Sequence, residues 1–253
     1  MDTKQRFPNS PLGVGGMIFA AGLGTRFKPW TNSHPKALAL VKGKSLLQRN
    51  IEYLQQYGIS NVVVNVHHFS EQIIREVNDN NGWGSNVIIS DETNELLDTG
   101  GGLLKAKKHL QSTQSFITLN VDILTDLILN KVIEFHNQQQ SLITLAIADR
   151  STSRFLLFNS NNRLCGWRNI KEGKIIEKVV MPSEVLIQKA YSGIAIFRSE
   201  VLDLISFQGK FSLIDVYLTL TADHVISGYD HTGDKWIDVG RPESVPIAEK
   251  LVS

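Results

Sequence analysis

The sequence predicts an α/β fold built around a mainly parallel sheet. Between residues 13 and 148, short β-branched or apolar runs alternate with amphipathic stretches of helical spacing. Alternation at this spacing is typical of right-handed crossovers that join parallel strands. After residue 150 the pattern changes to short strands that follow one another with few helices between them. The second half is therefore predicted to be richer in β-structure.

The first half contains alternating predicted strands and helices. The strands are expected at 13–21, 61–66, 86–90, 115–122 and 141–148. The helices are expected at 45–58, 70–79, 100–111 and 126–139. The first helix stops at Gly58, a residue type that favours helix C-termini, and the second is predicted to begin with Ser70 as its N-cap.

The second half is predicted to open with a hairpin over 155–169 that turns at residues 160–162. Two more strands are expected at 174–180 and 191–197, a short helix at 216–222 and a final strand at 234–240.

Composition limits the classes of function. The chain has 253 residues, enough for one large domain, and 42% of them are hydrophobic. Lys plus Arg number 26 against 25 Asp plus Glu, which gives no reason to expect a nucleic-acid surface. The single cysteine, Cys165, excludes a disulfide within the chain. No apolar run approaches the ~20 residues of a membrane helix and no secretory signal is evident, so a cytoplasmic protein without a membrane partner is expected.

Residues 1–12 are predicted to form a flexible tail, and residues 13–253 a single domain.

A glycine-rich turn follows the first predicted strand. Its small residues would let backbone N–H groups approach an anion closely, and they are Ala20, Ala21, Gly22, Gly24 and Thr25. The dinucleotide fingerprint would need glycine where Phe27 stands, and a Walker A loop would need glycine where Leu38 stands. Arg26 and Lys36 follow the turn as candidate phosphate ligands. From these residues alone, an ordinary surface loop with two solvated cations is an equal alternative.

Two acids end apolar strands. Asp122 follows strand 115–121, and Asp238 lies near the C-terminus after Trp236 and Ile237. Ligands of α/β folds bind over the carboxyl ends of parallel strands, and Mg²⁺ prefers a couple of carboxylates with phosphate oxygens and water. Taken singly, either acid could instead be a turn or helix-cap residue.

The run AAGLGTRFKPWTNSHPKAL resembles the AAGxGTRxxPxTxxxPKxL motif of sugar-1-phosphate nucleotidyltransferases. The resemblance continues in family order through the segments LLDTGGG at 96–102, LNVD at 119–122, YSG at 191–193 and WIDVG at 236–240. It is strongest to the short members that lack a C-terminal β-helix, the N-acetylmuramate-1-phosphate uridylyltransferases and the mannose- or heptose-1-phosphate guanylyltransferases.

This resemblance implies a three-layer, Rossmann-like (GT-A-like) α/β fold with a mixed, mainly parallel sheet and a smaller β-rich sugar-binding part. Residues 13–150 would mainly bind a nucleoside triphosphate, whereas 151–253 would bind a sugar 1-phosphate and complete the metal site. The implied reaction transfers a nucleoside monophosphate to the sugar 1-phosphate and releases pyrophosphate. Assembly into a homo-oligomer stays open.

The resemblance also assigns roles to residues. Asp122 and Asp238 would hold Mg²⁺, Arg26 would bind the departing β- and γ-phosphates, and Lys36 would bridge the α-phosphate and the sugar phosphate. Glu92 would read the base, and its acceptor oxygens favour UTP or GTP unless it is a solvated loop acid. The remaining assignments are Gly100 and Gly101 at base and ribose or merely at a helix start, and Gly193, Glu177 and Lys178 at the sugar.

The sequence departs from the family pattern at two positions, because Val121 replaces a glycine before the first metal acid and Val179 replaces a proline after Lys178. Val121 keeps open a non-catalytic nucleotide sensor on the same fold. A glycosyltransferase would need a second acid two positions after Asp122, where Leu124 stands. His67 and His68 are predicted to lie at a loop or site rim rather than to bind metal.

Overall fold

The computed structural model describes residues 13–178 and 185–252. The strands are β1 Val14–Phe19, β2 Leu40–Val41, β3 Lys44–Ser45, β4 Asn61–Val66, β5 Asn86–Asp91, β6 Ser115–Asn120, β7 Ile123–Thr125, β8 Ile143–Ala148, β9 Arg154–Phe158, β10 Leu164–Asn169, β11 Lys174–Glu177, β12 Ile187–Arg198, β13 Ile226–Asp230 and β14 Trp236–Asp238. The α-helices are α1 Leu46–Gln55, α2 Ser70–Asp79, α3 Asp98–Leu110, α4 Leu129–Gln138, α5 Val201–Leu204, α6 Leu213–Leu220 and α7 Val245–Leu251. Short 3-10 turns occupy Thr25–Phe27, Trp30–Asn32, Lys36–Leu38, Asn81–Gly84 and Pro242–Ser244.

Ten strands form one mixed sheet. Its parallel part has the order β6-β1-β4-β5, and β12 adds to β6 in antiparallel orientation. β12 continues the sheet through antiparallel pairs to β9, β10 and β11, and it also pairs with β8, which has β13 as a parallel neighbour. The predicted α/β class with a mixed sheet is confirmed, and the glycine turn follows β1, in the middle of the parallel part β6-β1-β4-β5. The division of labour at residue 150 stays a prediction.

Helices cover both faces of this sheet, which makes three layers. Side chains alternate along β1, so that Ile18 faces one core and Met17 the other. The Ile18 core includes apolar side chains of α1, α2, α4 and α7. The Met17 core includes those of α3, α5 and α6. Near-continuous apolar runs such as β4, buried throughout, follow from this coverage on both faces.

Helix boundaries show where local signals held. The Ser45 hydroxyl caps α1 by accepting from the amide of Gln48 over 3.1 Å. The prediction that Ser70 caps α2 is wrong, because Phe69 occupies the cap position in a left-handed conformation. Ser70 lies inside the helix and accepts a hydrogen bond from the Thr93 hydroxyl. The Ser70 hydroxyl therefore bonds to Thr93, which is distant in the sequence, instead of to an amide in the first turn of α2.

The second half follows the predicted order with additions. β9 and β10 form the expected antiparallel hairpin, and α6 provides the expected short helix. In this half the sequence patterns missed β13, α5 and α7, and in the first half they missed β2, β3 and β7; all six are short elements stabilised by packing rather than by periodicity. Cys165 is buried and Trp167 packs against the Met17 core, as predicted. The predicted tail at 1–12 and the substitution at Val179 lie outside the described residues.

Within the described residues, the helices are all too short or too polar to traverse a lipid bilayer.

Candidate active site

A cleft of about 440 Å³ opens where β1, β4 and β6 end. Most of its lining comes from the glycine turn and from loops that follow these parallel strands. The lining residues are 19–25, Lys36, Asn65, Glu92, Leu96, Asp98, Thr99, 120–122 and Lys210. The predicted nucleotide residues Ala20, Ala21, Gly22, Gly24 and Thr25 are therefore all in its wall. This is the crevice in which open α/β sheets bind ligands.

The two glycines of the turn have different environments. Gly24 has a φ of +60°, and a Cβ there would lie 2.8 Å from Thr31 Cγ2 and 3.1 Å from Lys36 Cβ. Its carbonyl accepts from the Thr31 hydroxyl over 2.9 Å, which fixes the turn. A Cβ on Gly22 would meet no atom within 4 Å. Gly24 therefore serves the packing of the loop, whereas Gly22 faces open space.

Short 3-10 turns present the two predicted cations. Arg26 lies in the turn Thr25–Phe27, and Lys36 begins the turn Lys36–Leu38. Buried Phe27 and Ala37 anchor these turns in the core. The Lys36 ammonium contacts the carboxylate of Asp122 directly, and both side chains are largely buried. The surface-loop alternative, with two solvated cations, does not describe Lys36.

Asp122 and Asp238 are brought together by a short antiparallel ladder. β7 pairs with β14 so that Asp238 lies opposite Ile123. The amide of Val239 donates to the carbonyl of Asp122 over 2.8 Å. Arg26 reaches the second acid, with 3.7 Å between Nη2 and Oδ2 of Asp238. The Lys36–Asp122 pair thus lines the cleft, whereas the Arg26–Asp238 pair lies beside it, outside the lining residues, with Asp238 close enough to Asp122 for their charges to interact.

The environment of Asp238 disfavours its ionised form. Burial raises the pKa of this carboxyl, and the nearby charge of Asp122 raises it further, although Arg26 and Lys36 act in the opposite direction. Gly240 leaves room for this arrangement. A Cβ at position 240 would lie 2.6 Å from Asp238 Oδ1 and 2.8 Å from Arg26 Nη2.

The two acids fit a magnesium ion. Oδ1 of Asp238 is buried and accepts no hydrogen bond within the described residues. A buried acceptor oxygen without a hydrogen bond destabilises the fold unless a ligand binds to it. The described residues contain no group of three or more His, Cys, Asp or Glu side chains placed for a metal. Two carboxylates with phosphate oxygens and water are the coordination that Mg²⁺ accepts, whereas a structural zinc site would need more protein ligands.

Glu92 is a buried carboxylate rather than a solvated loop acid. Its Oε1 accepts from Asn65 Nδ2 over 2.7 Å, and its Oε2 accepts from the amide of Leu97 over 3.3 Å. Asn65 in turn accepts from the amide of Ala20 over 2.7 Å. Burial raises the pKa of Glu92, while the hydrogen bonds from Asn65 and from the amide of Leu97 lower it. A hydrogen-bonded chain therefore connects Glu92 to the glycine turn, and its role in reading the base stays a prediction.

The histidines near Glu92 have protein partners. The Nδ1 atom of His67 lies 2.6 Å from the Glu92 carbonyl oxygen, and the ring of His68 contacts Phe69.

Gly100 and Gly101 lie within the first turn of α3, which begins at Asp98. Their amides donate to the carbonyl of Phe211, over 2.9 and 3.3 Å. Asp98 and Thr99, which the sequence patterns did not single out, line the cleft beside them. The predicted contact of the two glycines with base and ribose stays a prediction, and in this structure their amides bind the chain itself.

The predicted sugar-side residues occupy separate places. Gly193 has a φ of +77°, and a Cβ there would lie 2.9 Å from Asn120 Nδ2, beside the cleft. Glu177 and Lys178 are exposed at the opposite end of the large sheet, where β11 is the edge strand. The structure does not bring this pair to the cleft formed by the described residues.

Val121 is accommodated without backbone strain. It is 4% exposed, packs in the Ile18 core, and is not among the residues with positive φ. Its carbonyl accepts from the buried side chain of Asn50 on α1, over 2.9 Å. The position before Asp122 thus has an ordinary conformation that a branched residue can adopt.

Sequence reasoning also missed Lys210 and Arg150. Lys210 lines the cleft from the loop before α6. The Arg150 guanidinium lies 4.0 Å from the ring centre of Trp236, beside the strand that carries Asp238. Neither residue stands in a recognisable motif, so no local signal pointed to it.

Comparison with known proteins shows the family of the chain. The profile of the nucleotidyl transferase family matches residues 15–252. N-acetylmuramate alpha-1-phosphate uridylyltransferase of Neisseria meningitidis is 31% identical over 224 residues, which are 88% of this chain and 92% of that protein. The catalytic subunit beta of mannose-1-phosphate guanylyltransferase from Drosophila melanogaster is 29% identical over 91% of this chain. This chain spans 60% of that subunit's length.

A solved structure shares both fold and sequence. HddC from Yersinia pseudotuberculosis, crystallised with GMP-PN, superimposes with a TM-score of 0.74 at 25% identity, covering 93% of this chain and 98% of that one. The family profile spans nearly all of the described residues and includes the glycine turn, both cations and both acids. The chain belongs to the nucleotidyl transferase family.

Proposed function

We propose that this protein transfers a nucleoside monophosphate from a nucleoside triphosphate to a sugar 1-phosphate and releases pyrophosphate. The observation that carries the proposal is the Lys36–Asp122 contact in the wall of the cleft that the glycine turn lines, with the Arg26–Asp238 contact next to it. Two cations and two acids beside a turn of exposed amides suit a polyanionic substrate together with a divalent cation.

The substrates supply the reacting groups. An oxygen of the sugar 1-phosphate would attack the α-phosphorus, forming a new P–O bond as the bond to the β-phosphate oxygen breaks. The electron pair of the broken bond leaves on pyrophosphate. The attacking phosphate is already ionised, so the protein needs no strong general base. Its contribution is positioning and charge neutralisation.

The cations would exchange partners when substrate binds. Lys36 would turn from Asp122 to the α-phosphate and the sugar phosphate, because an ammonium is a mobile point charge. Arg26 would bind the β- and γ-phosphates, which its planar guanidinium matches in bidentate geometry. Asp122 and Asp238 would be left to hold Mg²⁺, which when bound neutralises charge on the phosphate oxygens.

The nucleotide would lie along the carboxyl ends of the parallel strands. Ala20, Ala21, Gly22, Gly24 and Thr25 would approach its phosphates, with the space in front of Gly22 open for them. Glu92, Gly100 and Gly101 would form the base end of the cleft. UTP or GTP is favoured because relatives are named uridylyl- and guanylyltransferases. On the sugar side, we retain Gly193, which lies beside the cleft, and not Glu177 and Lys178, which lie away from it.

A substrate matrix tests the proposal. The four common nucleoside triphosphates are each combined with N-acetylmuramate 1-phosphate, mannose 1-phosphate, glucose 1-phosphate and a heptose 1-phosphate. Pyrophosphate release is measured with Mg²⁺ and with excess EDTA. We expect release with UTP or GTP and at least one sugar, abolished by EDTA. Absence of release from every pair, with the protein folded, would reject the proposal.

A further inference from the structure

The loop between α5 and α6 packs directly against Gly100 and Gly101 in the first turn of α3. A Cβ on Gly101 would lie 2.3 Å from the Gly209 carbonyl oxygen, and one on Gly100 would lie 2.3 Å from Phe211 Cδ2. The Phe211 amide donates back to the Leu97 carbonyl over 3.2 Å. Only residues without side chains permit this approach. The two glycines therefore have a structural task, which is to hold residues 209–211 against the helix.

This packing places Lys210 in the wall of the cleft, because Lys210 lies between Gly209 and Phe211, the two residues that contact the glycines. The side chain is exposed and has no ion pair within the described part of the chain. Asp98 and Thr99 at the start of α3 line the same cleft, and the Thr99 hydroxyl accepts from the amide of Leu213, three residues after Lys210. No motif in the sequence accounts for a cation at this point.

The sheet order defines which end of the cleft Lys210 occupies. Asp122 follows β6, the glycine turn follows β1, and Glu92 follows β5, in the order β6-β1-β4-β5. Adjacent strands are ~4.8 Å apart, so the Glu92 end lies on the order of 10–15 Å from the acids. α3 begins just after Glu92. A nucleotide with its α-phosphate near Asp122 and its β- and γ-phosphates near Arg26 would extend its base toward this end.

We propose that Lys210 binds the base of the nucleotide by donating a hydrogen bond to one of its carbonyl oxygens, and that Gly100 and Gly101 position it by seating its loop. This rests on the proposed function, whose substrate it specifies further. An ammonium can only donate. Uracil offers O4 and guanine offers O6 at the position where adenine has an amino group that donates, so an ammonium placed there finds an acceptor only on uracil and guanine. Lys210 would thus select UTP or GTP against ATP.

Nucleotide binding tests this without requiring turnover. Dissociation constants for UTP, GTP and ATP with Mg²⁺ are measured by calorimetry, with competition for weak binders, on wild type and Lys210→Met. We expect the preference for UTP or GTP over ATP to fall about tenfold or more, the size of one charge-assisted hydrogen bond. Lys210→Arg keeps the charge and should retain part of the preference. Lys108→Met, an exposed lysine on α3, is the matched control and should change nothing.

Gly101→Ala tests whether packing of residues 209–211 against α3 positions Lys210. Its methyl group would push against the Gly209 carbonyl, and the same loss of preference is expected with Lys210 still present. An equal loss for all three nucleotides in Lys210→Met would overturn the proposal, since it would indicate a phosphate or ribose contact. An unchanged preference, or a wild type that binds no nucleotide, would overturn it too. Failure of the transfer reaction is distinguishable, because binding would remain selective while no pyrophosphate appears.

Discussion

Asp122 and Asp238 stand side by side although they are distant in the chain, because Asp238 ends β14 and Asp122 immediately precedes β7, its antiparallel partner. The Val239 amide closes this ladder on the Asp122 carbonyl at 2.8 Å. Each carboxylate faces a cation from the loop after β1, Lys36 for the first and Arg26 for the second. The electrostatic balance of the site therefore depends on contacts among segments from the beginning, the middle and the end of the sequence.

The Lys36–Asp122 contact predicts a large loss of turnover on substitution. Asp122→Asn and Lys36→Ala should each lower kcat/KM by about a hundredfold or more, because one preorganised charge is commonly worth about 3–4 kcal/mol in the transition state. Steady-state pyrophosphate release measures this. Asp223→Asn, at an exposed position after α6, is the control. Rates like those of wild type in both site variants would show that these charges do not take part.

The raised pKa of Asp238 predicts that removing its charge increases stability and lowers activity. An acid whose pKa is raised by folding binds its proton more tightly when folded, so ionised Asp238 destabilises the fold at neutral pH. That penalty is relieved as pH falls through the native pKa toward the unfolded value of about 3.9. Asp238→Asn should therefore raise Tm near pH 7 by on the order of a degree or two, while turnover falls.

Thermal unfolding of Asp238→Asn and wild type from pH 7 to pH 4 tests the sign, because the advantage of the variant should shrink as the solution is acidified. A variant that is less stable than wild type at pH 7 would contradict the expectation.

The two glycines of the turn predict opposite outcomes. Gly22→Ala should leave Tm unchanged, since its Cβ meets nothing, yet weaken nucleotide binding by about tenfold through loss of close approach. Gly24→Ala should lower the free energy of unfolding by about 1–2 kcal/mol, because it combines a positive φ with a methyl group 2.8 Å from Thr31. Calorimetric melts and nucleotide titrations on both variants separate the two effects. Equal destabilisation by both would refute the distinction.

A buried histidine that does not line the cleft, His136, predicts sensitivity to acid. Burial lowers the pKa of His136 to about 4, and its Nδ1 atom lies 2.8 Å from the Thr144 hydroxyl. A histidine with a lowered native pKa contributes stability above its unfolded pKa of about 6.5, and this is lost as pH falls toward 4. Wild type should lose up to about 3 kcal/mol more than His136→Gln between pH 7 and pH 4.

Urea unfolding of both proteins across this range measures that difference. Parallel stability curves for wild type and His136→Gln would mean that His136 does not titrate with folding.

Most regular elements around the site could be predicted from local signals. β4 is a run of β-branched residues, and α1 has a serine cap with apolar positions on one face. Ser70 shows the limit of such signals, because a contact with Thr93 displaced its expected role as cap. β7 has three residues, too few for a periodic pattern to identify, whereas the equally short β14 lies within the strand predicted at 234–240.

The candidate site also contains residues that the sequence predicted and residues that it did not. Sequence reasoning identified the cations, both acids and Glu92, but not the burial of Glu92 among Asn65 and the amide of Leu97. Lys210 was not foreseen, because a lone lysine in a polar loop resembles any surface lysine until its loop is packed against Gly101.

The sequence by itself determined the α/β order, the glycine turn, its two cations and an acid at the end of each of two strands. These properties depend on residue type and on spacing within a few positions, where backbone sterics and hydrophobic periodicity act. The tertiary structure alone decided that Lys36 meets Asp122, that Asp238 joins them, and that Lys210 faces the same cleft. Such contacts join segments across long loops, and they form only when burial of the whole sheet offsets the entropy of closing those loops.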